Sequence, residues 1–82
     1  MAATDNAVLA SAAADIASAY ANALNSSQLH YQAYYAHNSA LVSWNAVMAA
    51  APASSATAKA AAHTTQANNH LTTANQLKTA GK

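Results

Sequence analysis

Little in this chain staples or punctuates it. Cysteine is absent, which excludes disulfides and thiolate metal sites and leaves the compartment open. There is one glycine, Gly81, and one proline, Pro52, so few positions enforce a turn. Charged residues make up only 6% of the chain, with three lysines against two aspartates and a formal net charge of +1. Soluble small domains carry about a quarter of their residues as charges. Without a basic patch, strong nucleic-acid binding is not expected. Phosphate-cradling glycine loops, a glycine-framed nucleophile turn and paired acid groups are missing too, so the sequence predicts no enzyme, no small-molecule substrate and no cofactor. No uninterrupted apolar run approaches about 18 residues, so no membrane span is expected. The first residues lack the basic stretch of a secretion signal, and a cytoplasmic product is the default expectation.

What the chain has instead is alanine, about a third of its 82 residues, within a hydrophobic content of 54%. A buried alanine removes little surface from water. The large apolar groups are few, and about 1.5 to 3 kcal/mol for each one fully buried must oppose about 1.5 kcal/mol of ordering per residue. A solitary subunit of this composition is marginal. Alanine does favour helices and lets their axes approach closely. A neutral, alanine-rich surface also does not repel copies of itself, so self-association is expected.

Read in order, the residues predict an all-α chain forming one antiparallel helical hairpin, with helices over about 5–50 and 56–80 and a turn at 51–55. Thr4 or Asp5 is a good N-cap for the first helix. Leu9, Ile16, Tyr20 and Leu24 then form a narrow apolar stripe. Asn25-Ser26-Ser27-Gln28 offers a first break, with Asn25 capping a new helix and Gln28 reaching back. Because no glycine or proline enforces it, a continuous first helix is the favoured expectation. Pro52 removes a backbone donor and pushes Ala51 out of helical geometry, while Ser54 or Ser55 can cap the second helix. Gly81, beside Lys78 and Lys82, suits its C-terminal end.

The bulk of the chain lies between Gln28 and Ala50. On a helix, residues seven apart share a face, so Tyr34, Leu41 and Met48 form one column, His30, His37 and Trp44 the next, and Tyr31, Tyr35 and Val42 flank them. The set expected to pack in the core or between assembled copies is the tyrosines, Leu41, Val42, Trp44 and Met48 of these columns with Leu9, Ile16, Tyr20, Leu24, Leu71 and Leu77. An apolar belt around so much of one rod calls for neighbours on several sides. In the last helix His63, His70 and Leu77 repeat the same spacing, and the histidine columns of both helices are expected at their mutual seam.

Four histidines raise the question of metal. Zinc pairs on one helix are usually three or four residues apart, whereas these stand seven apart, about 10 Å along the axis, so no metal site is expected. Partly buried hydrogen-bonding side chains are the plainer reading. His30, His37, His63 and His70 are also candidate pH-responsive groups. Charging all four would take the net charge from +1 to about +5.

The segment Ala36-His37-Asn38-Ser39-Ala40-Leu41, followed by Asn45-Ala46-Val47 and the Ala/Thr/Gln-rich stretch from Ala60 to Ala67, resembles the structural proteins of refractile bodies, the R-body or killing-trait family. The resemblance spans roughly residues 31–67. It implies polymerisation into a ribbon coiled as a hollow roll, in some members extended by acid, with copies of the chain or a paralogous subunit as partners. Two other classes fit parts of the sequence. Residues 56–75 are similar in flavour to alanine-rich antifreeze helices, and an alanine-rich hairpin could serve as the coat subunit of a filamentous virus, with Lys59, Lys78 and Lys82 facing the genome. The composition as a whole points to a structural protein that completes its core against copies of itself.

Overall fold

The computed structural model describes residues 2–51 and 55–82. They form three α-helices and, among the described residues, no strand: α1 (Ala2–Leu24), α2 (Ser27–Ala50) and α3 (Ala56–Thr79). The all-α expectation holds. The continuous helix over 5–50 does not, because the chain breaks at Asn25. Asn25 adopts a left-handed φ of 51°, a conformation asparagine tolerates better than most residues, and its N–H donates to the Ala21 carbonyl at 2.7 Å. The cap of α2 is Ser26, not Asn25 with Gln28. Ser26 is extended, and its Oγ accepts from the Leu29 N–H at 3.2 Å. A polar residue able to take positive φ, followed by a good N-cap, suffices to turn the chain without glycine or proline.

The other ends are equally local. α1 begins before the expected Thr4 or Asp5 cap. Ala51 leaves helical geometry at φ −144°, ψ 76°, as the residue before a proline does. Pro52 and Ser54, on which the expected turn partly rests, lie outside the described residues. Ser55 occupies the cap position of α3 but makes no side-chain cap bond. At the far end Gly81, at φ +80°, closes a paired motif in which the Gly81 N–H donates to the Lys78 carbonyl and the Lys82 N–H to that of Leu77. The Lys82 carbonyl then accepts from the Ser27 N–H at 3.2 Å, tying the end of α3 to the start of α2.

Short connections make α1 and α2 antiparallel, and α2 packs along both of its neighbours. Within each helix the buried positions alternate in steps of three and four: Ala7, Ala14 and Ala21 with the half-buried Ala3, Ala10 and Ala17 on α1; His30, Ala33, His37, Ala40, Trp44 and Val47 on α2; Ala56, Ala60, His63, Ala67, His70 and Ala74 on α3. That is the 3.5-residue seam of a left-handed bundle, written almost entirely in alanine and histidine.

The expected packing set therefore divides. Trp44 is buried, while Tyr31, Tyr34, Leu41, Met48, Leu71 and Leu77 are half-buried. Leu9, Ile16, Tyr20, Leu24, Tyr35 and Val42 instead point outward, each at least 59% exposed. They are not core of the single chain, because the alanine seam, offset around α1 from the leucine stripe, brings the backbones close and leaves no room for larger groups. One consequence is measurable in urea melts of the dispersed subunit. Ala40→Leu, which overfills a fully buried position, is expected to destabilise by about 1 to 3 kcal/mol, and Leu9→Ala by less than about 0.5 kcal/mol. The opposite order would contradict this packing.

Candidate functional site: a hydrogen-bonded histidine ladder

The seam carries a continuous chain of polar side chains. Trp44 Nε1–H donates to Ser11 Oγ at 2.7 Å, and Ser11 Oγ lies 2.8 Å from His63 Nε2. His63 Nδ1 meets His37 Nδ1 at 2.8 Å, and His37 Nε2 meets Ser18 Oγ at 2.6 Å. Ser18 Oγ lies 2.9 Å from His70 Nε2, His70 Nδ1 faces His30 Nδ1 at 2.8 Å, and His30 Nε2 ends on Asn25 Oδ1 at 2.9 Å. The rings also stack: His37 and His70 are nearly parallel at 11°, with centroids 5.7 Å apart. All four histidines are buried, His37 completely. Among the described residues no buried side-chain nitrogen or oxygen is left without a partner.

The spacing explains the continuity. Ser11 and Ser18 on α1 and Asn25 just beyond its end stand seven apart, as do Trp44, His37 and His30 on α2 and His63 and His70 on α3. Because α2 runs opposite to its neighbours, each step of seven repeats one serine–histidine–histidine unit. The helix break contributes directly, since the same Asn25 that turns the chain supplies the terminal acceptor.

With one hydrogen on each ring, the two ends fix every proton between them. Indole N–H can only donate and an amide oxygen can only accept, so His30 carries its proton on Nε2 and presents a bare Nδ1. His70 must then donate from Nδ1 and accept at Nε2, which takes the Ser18 hydroxyl hydrogen. Ser18 accepts in turn from His37 Nε2–H, His37 Nδ1 accepts from His63 Nδ1–H, and Ser11 donates to His63 Nε2. The tautomers alternate, Nδ1–H on His63 and His70 and Nε2–H on His37 and His30. Donation then runs one way, from Trp44 to Asn25.

Added protons have few places to go. His63 and His70 can each be protonated at Nε2 if the serine hydroxyl hydrogens swing to a backbone carbonyl one turn earlier, a common serine alternative. A third proton would have to enter an Nδ1 that already faces an N–H at 2.8 Å. The intact ladder thus reaches a net charge of about +3, and the expected rise to about +5 requires both histidine–histidine bonds to break. Burial holds His37 below the ordinary imidazole value, helped by the nearby charges of His63 and His70 and opposed by Asp15 on α1. Burial also lowers His70, helped by His30.

Other chemistry is less well served. Ser11, His63 and His37 stand in the order of nucleophile, base and orienting group, but the indole N–H beside Ser11 is engaged by the hydroxyl oxygen itself and does not point to where an oxyanion would form. Among the described residues no group of three or more histidine, cysteine, aspartate or glutamate side chains is arranged to hold a metal ion. Of the ladder, the sequence pointed to the histidines and Trp44 but missed Ser11, Ser18 and Asn25. Their seven-residue spacing, in phase with the histidines, was the available signal.

Comparison with known proteins adds no relative. No family model matches the chain, and no curated protein or solved structure matches it.

Two outcomes follow from the ladder. A histidine whose folded value is lowered contributes stability that is full above its unfolded value of about 6.5 and lost as the pH falls below it. The urea midpoint of the subunit should therefore drop between pH 7 and pH 5, and His37→Gln with His70→Gln should flatten that drop; an equally steep fall without them would contradict the assignment. Ser18→Ala, which removes the hydroxyl joining both halves, should destabilise by about 1 to 3 kcal/mol, against less than about 0.5 kcal/mol for Ser39→Ala at an exposed position.

Proposed function

We propose that the chain is a structural subunit that assembles with copies of itself into a filament, ribbon or sheet, with the histidine ladder as its acid-sensitive element. The observation that carries this reading is the inverted distribution of bulk. Leu9, Ile16, Tyr20 and Leu24 are 59% to 70% exposed on one face of α1, while the seam is filled by alanine and imidazole. Those four side chains together expose on the order of 500 Å², at the upper end of what a monomer leaves uncovered in one patch. A stable contact buries about 800 Å² per partner, so the polar residues beside the stripe must share the contact. Tyr35 and Val42, 64% and 67% exposed, lie on α2 and supply a second patch. Two separate patches on one small subunit favour a lattice over a closed dimer. The R-body resemblance points the same way, toward a coiled ribbon. A cytoplasmic location and an optional paralogous partner remain part of this proposal.

Acid would act through the ladder. The first two protons are accommodated by hydroxyl rotation, whereas further charging separates α2 from α3 at His30–His70 and His37–His63. In a close-packed array each such change is repeated along the lattice, so a cooperative transition on acidification is the expected response.

A second reading has one observation in its favour. α1 over Ala3–Leu24 is long and apolar enough, by length and composition, to cross a membrane, although no unbroken apolar run predicts this. Sedimentation velocity and negative-stain microscopy at micromolar concentration separate the two. Self-assembly predicts extended particles that Ile16→Glu reduces to an 8.3 kDa species. A wild-type chain that sediments as a single copy would remove the proposal, and flotation of that copy with phospholipid vesicles would establish the membrane reading instead.

A further inference from the structure

The bundle has an open side. α1 and α3 each pack along α2, but toward one another they are joined chiefly by the hydrogen bonds of Ser11 to His63 and Ser18 to His70. Above these bonds runs a slot. Its middle, about 440 Å³, is walled by Val8, Asp15, Trp44, Lys59, Ala62 and Gln66. Toward the start of α1 it continues over Thr4, Val47 and Ala56, and toward the end of α1 over Asn22, Asn69 and Thr73. One end is therefore apolar with a lysine at its rim, and the other is a cluster of amides and hydroxyls. On α1 the slot reaches from Thr4 to Asn22, about 27 Å at 1.5 Å per residue.

We infer that this slot receives the exposed stripe of α1 from a second copy, laid parallel to the α1 of the host. The inference rests on the self-assembly reading and specifies its contact. Three features of the stripe match the slot. Its length from Leu9 to Leu24 is about 22 Å. Its order matches at both ends: Leu9 falls over Val8, Trp44 and Ala62, and the Tyr20 hydroxyl among Asn22, Asn69 and Thr73, with Ile16, about 10 Å beyond Leu9, between them beside Asp15 and Gln66. Asp5, one turn before Leu9 on the same face, comes level with Lys59, whose ammonium sits 5.1 Å from the centre of the Trp44 ring. Reversing the incoming helix would place Asp5 among the amides and Leu24 over the lysine, so the charge pair selects the direction even where it adds little affinity.

The geometry makes the contact head-to-tail. At 100° per residue the slot face and the stripe face of α1 lie about 140° apart, so a subunit that fills one slot still offers its own. A contact between two different faces propagates as an open filament, or closes as a ring where its rotation allows. In either case all copies point the same way.

Complementation tests this directly. Ile16→Glu spoils the stripe and leaves the slot, and Ala62→Glu spoils the slot and leaves the stripe. Both positions are exposed, so the fold is retained, which circular dichroism checks, and Gln66→Glu serves as a second slot variant. Each variant alone should sediment as the 8.3 kDa subunit, and an equimolar mixture should double in mass and grow no further. If the wild type assembles but Ala62→Glu and Gln66→Glu assemble as well, or if the mixture stays monomeric, this contact is wrong while self-assembly stands. If the wild type itself is monomeric, both fall.

Discussion

The donor and acceptor balance of the ladder is the constraint on which the rest of the fold depends. Seven hydrogen bonds link Trp44, Ser11, His63, His37, Ser18, His70, His30 and Asn25, and with the rings neutral there is one hydrogen for each bond. Buried imidazoles are costly when unpaired. Here every one is paired on both nitrogens, and only one helix register achieves this. Sliding α2 by a single residue would turn His30, His37 and Trp44 away from their partners together. The ladder thus supplies the specificity that an alanine core lacks, since small, uniform side chains pack nearly as well in several registers.

The same economy of bulk inside produces the surface outside. An alanine seam draws the helices together and leaves no interior volume for Leu9, Ile16, Tyr20 or Leu24. These groups face outward as a consequence of the core, and the open side between α1 and α3 follows because serine–histidine pairs, not alanine contacts, bridge that gap. Core, ladder and assembly surfaces are thus consequences of one pattern: small and polar residues in the seven-residue phase that faces inward, and large residues in the phases that do not.

Part of this could be read from the residues. The helices announced themselves through alanine content and spacing, the end of α3 through Gly81, and the meeting of the histidine columns through their common period. The break at Asn25 was harder to read, because it depends on one asparagine taking a left-handed conformation and one serine capping, each a modest local preference without glycine or proline to enforce it. Assigning Leu9, Ile16, Tyr20 and Leu24 to the packing set followed hydrophobicity, and hydrophobicity ranks leucine above alanine at every position. Which of two parallel stripes faces inward depends on how closely the backbones approach, and that is a property of the partner helix. Ser11 and Ser18 were hidden for a related reason: among many serines, only their phase relative to histidines on other helices marks them.

The alternating protonation of the rings is the most direct expression of the whole arrangement. In ¹⁵N spectra of the imidazoles at pH 8, His63 and His70 should carry hydrogen on Nδ1 and His37 and His30 on Nε2, with scalar coupling across the His37–His63 and His30–His70 nitrogen pairs. Four rings in the Nε2–H form that prevails in water, without coupling, would mean that no such ladder exists.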